Sequence, residues 1–527
     1  MNRRHFLRTS SVATIGGLTV QGFASPLLQA LRKNRSAEDR VLVIVQLFGG
    51  NDGLNTVIPL DQYGVLAQKR PYVLIPQGAV LPLAGLGATG LHPAMSGMQE
   101  LWEMGKLSIV QGVSYPEPNY SHFRATDIYE TGADANQLLN SGWTGRYLHM
   151  EYPNYPAGYP NTDMPDPLAI RVGGPIGPGL QYQGVSMGAS IYSTNDALNL
   201  TGNIYNDPVT AQCSGGKLAF VRQVQRQTDL YGDVIEAAAQ AGCNHSTLYP
   251  TGNAPGAQLA QALKVVAQLI CGGLKTKIYW VSIGGFDTHA QQVEADDHTI
   301  GTHANLLRGL SDSIRAFQDD LELMGLEDRV LGMTFSEFGR RIVDNASLGT
   351  DHGSAQPMFL FGTQVLPGML GNNPQIPSNA TYSTNLAMQY DFRSVYASVL
   401  KDWFCLEEDD IDAVLLNTYQ PLSLIDPSGC LGSDIREANQ RAGDDLLSAY
   451  PNPFTERTTL RYTTHGGRAL IQVFNDQGQL IQTALNQPTA PGTYTVDVDL
   501  GPLPAGVYYA RFQNEGSQQV RNLVKVR

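Results

Sequence analysis

The sequence predicts an α/β fold, a mostly parallel sheet flanked by helices, followed by a small C-terminal all-β sandwich. Three observations carry this. Short β-branched runs alternate with stretches of helical periodicity between residues 40 and 335. Four polar clusters lie just past such runs, or in the loop after one: GGNDGLN at Gly49 to Asn55, GGFDTH at Gly284 to His289, SEFGR at Ser336 to Arg340 and GTDHG at Gly349 to Gly353. From Tyr450 the pattern changes to short alternating strands separated by the turn signals NDQG, APG and PAG.

The N-terminus carries Arg3-Arg4, an apolar, small-residue stretch from Ser11 to Ala24, and no acidic residue before Glu38. That order is the twin-arginine export pattern, and the apolar stretch is too short and too rich in Gly and Thr to span a bilayer. Residues 1–30 are therefore expected to be a signal peptide, with cleavage near Ala24 or Ala30. The expected route runs through the twin-arginine translocase to the periplasm. No later segment has the uninterrupted apolar length of a membrane helix.

The α/β domain is expected over 40–431. RVLVIVQLF at Arg40 to Phe48 reads as a strand buried on both faces. A helical stretch from Pro93 to Met104 leads into a second strand at Leu107 to Val113. Between Glu151 and Gly216 the periodicity fades into Pro, Gly, Tyr and Asn, an irregular excursion with one strand at Leu168 to Val172; it reads as a cap over a site or as a surface elaboration. Leu259, Leu263, Val266 and Ile270 mark a helix before the strand Ile278 to Ile283. Leu307, Leu310, Ile314, Phe317 and Leu321 mark another before Val330 to Phe335. Residues 432–448 read as a linker, and 449–527 as the sandwich, with strands at Thr459 to Tyr462, Leu470 to Phe474, Gln479 to Thr483, Thr493 to Val498, Val507 to Phe512 and Val520 to Val526.

A formal charge of −13 with only 16% charged residues excludes a basic nucleic-acid footprint. The five cysteines have no CxxC spacing, which argues against a zinc ribbon or a redox motif. In an exported chain the shortest disulfide loops are Cys405 with Cys430 and Cys213 with Cys243, leaving Cys271 as a buried thiol in an apolar helix.

Side chains at the carboxyl ends of parallel strands converge on one crevice, so acids and histidines remote in sequence can share a site. Asp52, Asp287, His289, Glu337, Asp351 and His352 all lie at such positions and offer the oxygen and nitrogen atoms that a divalent ion accepts. Each has a second reading: Asp52 as an Asx-turn residue, Glu337 as a helix N-terminal acid, His352 as a structural loop histidine. Asp287 and His289 flank Thr288 and in extended geometry face the same side. Ser121, at the start of an expected helix, is the first candidate nucleophile, with N-capping as its second reading; Thr56 is the next. Asn55, His122, Arg124 and Arg340 are candidate donors to an anionic substrate.

Two resemblances add to this. Tyr450-Pro451-Asn452-Pro453-Phe454, VFNDQGQLI, PAGVYYARF and the final RNLVKVR resemble the type IX secretion sorting domain, which implies recognition by the type IX secretion machinery and a cell-surface or extracellular destination. The four polar clusters, with YPEPNYSHF and YDFRSVYASVL, resemble the domain of unknown function 1501 family over Val41 to Leu431. Its members are related to the alkaline phosphatase and sulfatase superfamily, in which acids and histidines at the sheet edge bind one or two metals. The resemblance implies one set of ligands from Asp52 and Glu337 and another from Asp287, His289 and His352, holding Zn, Mn or Ca. Phosphatases of that superfamily place a histidine after the later carboxylate, whereas Phe338 follows Glu337 here. Ser114-Tyr115-Pro116-Glu117-Pro118 comes closest to a formylglycine motif and lacks its arginine, which disfavours formylglycine sulfatase chemistry. The expected function is metal-dependent hydrolysis of phosphate or sulfate esters, of small molecules or glycans. The alternative is a non-catalytic binding or scaffold protein displayed on the same fold.

Overall fold

The computed structural model describes residues 39–192, 213–430 and 447–526, apart from 453, 465, 466, 476–478, 491, 515 and 516. The signal peptide expected at 1–30 and most of the linker expected at 432–448 lie outside the described residues. The chain divides into two compact units between Pro427 and Ser428.

Eight strands of the first unit run, in chain order, as β1 (Val41–Leu47), β2 (Leu107–Ser114), β3 (Ala169–Val172), β4 (Ala189–Ile191), β5 (Ile278–Ile283), β6 (Val330–Ser336), β7 (Gln356–Phe361) and β8 (Gly368–Leu370). In space their order is β8-β2-β7-β6-β1-β5-β3-β4, with the short strand Tyr390–Asp391 also on β2. β1 pairs parallel with both β5 and β6, β3 with β5, and β4 with β3. Among the helices are α1 (Ser96–Glu103), α2 (His122–Thr131), α3 (Cys213–Ala241), α4 (Ala257–Cys271) and α5 (Thr302–Leu323).

β1 sits at the centre, all seven residues buried, as its unbroken apolar sequence requires of a strand covered on both faces. α4 and α5 bury Leu263, Val266, Ile270, Leu310, Ile314 and Phe317 at 3.6-residue spacing. Two features depart from the expected order. β7 is antiparallel and is inserted between β6 and β2; its Pro357 lacks an N–H, and the ladder accommodates it by a register shift between Gln356 and Met358. The irregular excursion also supplies β4, a further parallel strand at the sheet edge.

The disulfide expectation is corrected. Cys243 bonds Cys271, not Cys213. The ends of α3 and α4 meet, with glycine at each contact: a Cβ on Gly272 would lie 1.9 Å from the Ala238 carbonyl oxygen, and one on Gly242 2.1 Å from that of Gln268. That contact brings the two cysteines to a Cα separation of 5.9 Å, so Cys271 is not a free thiol. Cys405 and Cys430 are each in a disulfide as well.

The second unit holds two antiparallel sheets, one of Leu447–Tyr450, Arg457–Thr464 and Gly492–Asp499, the other of Leu480–Pro488, Arg468–Phe474, Gly506–Asn514 and Ser517–Lys525. Leu460, Tyr462, Ile471, Val473, Val498, Phe512 and Leu523 form one core, drawn from alternate residues of both sheets. Leu447–Tyr450 is not among the strands read from the sequence.

Candidate metal centre

The loops after β1, β5 and β6 meet at the carboxyl edge of the sheet, and glycines permit the approach. Gly49, at φ 116°, lies so close to the next loop that a Cβ there would sit 2.2 Å from the Asp287 nitrogen. Gly349 lies against His289, where a Cβ would come within 2.3 Å of the carbonyl carbon. Arg340, fully buried, ties these loops together: its guanidinium donates to the carbonyls of Gly49, Gly50, Phe286 and Thr350, and to Asp287 Oδ1 at 2.9 Å.

Three imidazoles surround Asp287. His352 Nε2 and His289 Nε2 each stand 3.1 Å from Asp287 Oδ1 and 2.8 Å from one another. His122 Nε2 is 3.4 Å from Asp287 Oδ2. The opposite nitrogen of each ring is held by a group that only accepts hydrogen bonds: His352 Nδ1 by the Tyr120 carbonyl at 2.9 Å, His289 Nδ1 by Asp351 at 3.0 Å, His122 Nδ1 by Glu337 at 2.5 Å. Each Nδ1 therefore donates its proton to that acceptor, and each ring turns its Nε2 toward the same carboxylate, the nitrogen that a metal ion would take. Two Nε2 atoms 2.8 Å apart beside an anionic oxygen need either a proton or a metal cation between them.

A tetrahedral ion with bonds of about 2.0–2.1 Å separates its donors by roughly 3.3 Å. The contacts around Asp287 fall close to that edge. Asp287 and His352 are common to the cluster; His122 completes it on one side, where the three ligand atoms lie within 4.8 Å of one another, and His289 on the other. The donor set, three imidazoles and one carboxylate, fits Zn or Mn and does not fit Ca, which prefers an all-oxygen shell.

Electrostatics agree with an anionic Asp287. Burial pushes its carboxyl up, but hydrogen bonds from His352 and Arg340 outweigh that and hold it below the usual range. Asp351 is likewise lowered, burial being outweighed by His289 and Asn345. Burial pushes Glu337 up, with His122 opposing. His352 is pushed down by burial, against the pull of Asp287.

The remaining sequence candidates fall in other places. Glu337 and Asp351 stand behind the cluster, holding histidines rather than facing Asp287. Asp52 is 1% exposed and its Oδ2 is paired with Arg70 and accepts from Gln292 at 2.6 Å, while Oδ1 is buried with no hydrogen-bond partner among the described residues. Thr56 is fully buried, donating to the Asp52 carbonyl at 2.8 Å and contacting Asn51 Oδ1 at 3.0 Å, which removes it from any substrate. Asn55 is buried and donates to the Val73 carbonyl. Arg124 pairs with Asp127 and pins the carbonyls of Asp134 and Gln137. Arg340 spends its donors on loop carbonyls and Asp287, a positioning role in place of the substrate contact expected for it. Ser121 is exposed at the N-cap of α2, beside His122, with no capping bond from its side chain. Sequence reasoning missed Tyr120, whose carbonyl sets the His352 tautomer, and Arg70 and Gln292, which claim Asp52.

An α/β protein with an acid and histidine cluster at the carboxyl edge of its sheet, carrying a C-terminal β unit, is thus the class defined. Residues 211–415 match the family described as "Protein of unknown function (DUF1501)", and residues 448–526 match the "Secretion system C-terminal sorting domain". A sorting domain of this kind implies export to the cell surface or the extracellular space. No curated protein sequence matches the chain. Among solved structures, a protein in the alkaline phosphatase superfamily from Vibrio parahaemolyticus is 11% identical, over 93% of this chain and 82% of that one, with a TM-score of 0.30. A phosphonate monoester hydrolase from Silicibacter pomeroyi is 10% identical, over 93% and 89%, with a TM-score of 0.31. PorZ, a surface component of the type IX secretion system of Porphyromonas gingivalis, is 15% identical over 20% of this chain and only 14% of its own, with a TM-score of 0.13. Likeness at these scores says nothing of activity. Among the described residues, no helix is long and apolar enough to cross a membrane.

Proposed function

We propose that the chain is an exported metal-dependent hydrolase of phosphate or sulfate esters, its ion held by Asp287, His352 and His122 or His289. The observation that carries this is the convergence of three imidazole Nε2 atoms on Asp287, each ring fixed from behind by an acceptor. A divalent ion bound there supplies a Lewis acid that polarises an ester oxygen. Ser121 is the proposed nucleophile: its hydroxyl is exposed, it adjoins His122, and the first-turn N–H groups of α2 favour an anion beside it. Glu337 and Asp351 set the histidine tautomers, and Arg340 fixes Asp287. Residues 1–30 are proposed to direct twin-arginine export, and a linker over 432–448 to join the 40–431 domain to the sorting domain at 449–527.

A second reading has one favouring observation. Arg340 is engaged with the protein and Asp52 with Arg70, so fewer charged groups remain for transition-state contacts than the sequence promised. On that reading the centre is structural and the surface binds a ligand. A screen of phosphomonoesters, phosphodiesters and aryl sulfates separates the two. Turnover that needs added Zn or Mn and is lost in Ser121→Ala and Asp287→Ala supports the hydrolase; metal binding with no ester turned over supports the second reading.

A further inference from the structure

A cavity of about 300 Å³ lies at the carboxyl ends of β3 and β5, lined by Phe48, Thr126, Glu130, Arg171, Gly174 and Trp280 among others. Its position is tied to the histidine cluster by one helix. His122, Thr126 and Glu130 follow one another at four-residue spacing on a single face of α2; His122 is in the cluster, Thr126 hydrogen-bonds Glu337, and Glu130 lines the cavity. Four to eight residues of helix place the cavity wall about 6–12 Å from the cluster along α2.

Arg171 is the unusual group. It is 7% exposed, yet it forms no ion pair among the described residues. Nη2 donates to Ser282 Oγ at 3.1 Å, and Nη1 reaches Gln46 Oε1 only at 3.4 Å. That Gln46 oxygen already accepts from Trp280 Nε1 at 3.0 Å. Arg171 Nε is buried with no hydrogen-bond partner among the described residues. Burial lowers its pKa to about 10, so it stays cationic at neutral pH. The nearest acid, Glu130, has both oxygens occupied, Oε1 by Gln46 Nε2 at 3.2 Å and Oε2 by the Gly179 N–H at 2.9 Å. A buried guanidinium with a spare donor, no direct ion pair, and only the charge of Glu130 and the face of the Trp280 ring nearby is costly unless something fills the space beside it. Gly174 borders the cavity beside this guanidinium, and a Cβ there would lie 3.3 Å from Arg171 Nε and 3.5 Å from Nη2, narrowing the approach to it.

We propose that this cavity is an anion subsite, in which Arg171 receives a carboxylate carried on a compact ring of the ligand. The guanidinium plane presents two parallel donors to a carboxylate, the geometry in which arginine binds most selectively. Phe48, Leu180 and Trp280 give the ring an apolar wall, and the volume is at the small end for such a site, enough for one ring with its substituent. Gly173 and Ser282 also line a wider hollow of about 660 Å³, through which a longer ligand extends. Glu130, though engaged, adds negative charge beside Arg171 and sets an upper limit on the affinity.

The link from this subsite to the cluster rests on reading the cluster as a reaction centre; the binding does not, and it is measured without turnover. The probe is sodium glucuronate, titrated calorimetrically into the full chain at fixed ionic strength, with glucose as the neutral control. Saturable binding of glucuronate and none of glucose is expected. Arg171→Gln should weaken it at least tenfold, Gly174→Val should do the same by filling the space with the charge intact, and Glu130→Gln should tighten it several-fold. If Arg171→Gln fails to fold, Gly174→Val decides. No glucuronate binding by the wild-type chain, or binding unchanged in a folded Gly174→Val variant, overturns the proposal. Binding with this pattern but no ester hydrolysis leaves the subsite standing and removes the hydrolase.

Discussion

Two aspartates follow a Gly-Gly pair at the ends of neighbouring parallel strands, Asp52 after β1 and Asp287 after β5, and they end in opposite surroundings. Asp52 is buried, its Oδ2 held by Arg70 and Gln292. The side chain of Asp287 is 45% exposed and ringed by three histidine nitrogens. The same local pattern thus yields a structural ion pair in one place and a candidate ion site in the other. What separates them is the loop that arrives from elsewhere: residues around Arg70 for one, GTDHG and the start of α2 for the other.

Breaking each side should give different symptoms. The largest change in stability is expected for Asp52→Ala, which leaves the fully buried Arg70 charge without its partner and costs about 3–5 kcal/mol. Urea unfolding reads it directly, and an unchanged midpoint would place Asp52 in some role other than the ion pair.

Acid should attack the same region next. His303, hydrogen-bonded to Asn51 at 3.0 Å, and its ring neighbour His92 are held neutral chiefly by burial, with pKa values lowered to about 4 and about 3. The unfolded chain takes up those protons near pH 6.5, where the folded one does not. Their contribution is therefore complete above that pH and is lost as pH falls toward 4, roughly 2 kcal/mol for each at pH 5. Urea midpoints at pH 7 and pH 5, in the wild type and in His303→Gln, test the sign and the source.

On the Asp287 side the groups behind the histidines come next. Glu337→Gln and Asp351→Asn should each weaken ion affinity by about 10–100-fold without removing it, as second-layer partners of ligating histidines do. Chelator competition measures the loss. Asp287→Ala should destabilise the ion-free chain less than Asp52→Ala does, because the lost carboxylate is half exposed and the buried Arg340 still donates to four backbone carbonyls; urea unfolding of the two variants compares them.

Much of this arrangement is legible in the sequence. β1, β5 and β6 are nearly unbroken apolar runs, and the clusters that follow them stand at the sheet's carboxyl edge because parallel strands leave them nowhere else. DTH and DH are legible as ligand types, and the structure brings Asp287, His289 and His352 together. The partition between facing the ion and standing behind it is not legible, since Glu337 and Asp351 offer the same oxygens as Asp287 and only the third dimension orders them. Nor is the fate of Asp52, because nothing near Arg70 in sequence marks it as a partner. β7 escapes notice because Pro357 reads against a central strand, and α3 because Leu218, Val221 and Leu230 lie exposed and blur its apolar stripe.

The most direct test is to strip the full chain with chelator and titrate Zn or Mn into the wild type and into Asp287→Ala, following bound ion by mass spectrometry and folding by circular dichroism. One tightly held equivalent in the wild type, absent from a folded Asp287→Ala variant, is the expected result. A wild-type chain that binds no ion, or a variant that binds as well as the wild type, would contradict it.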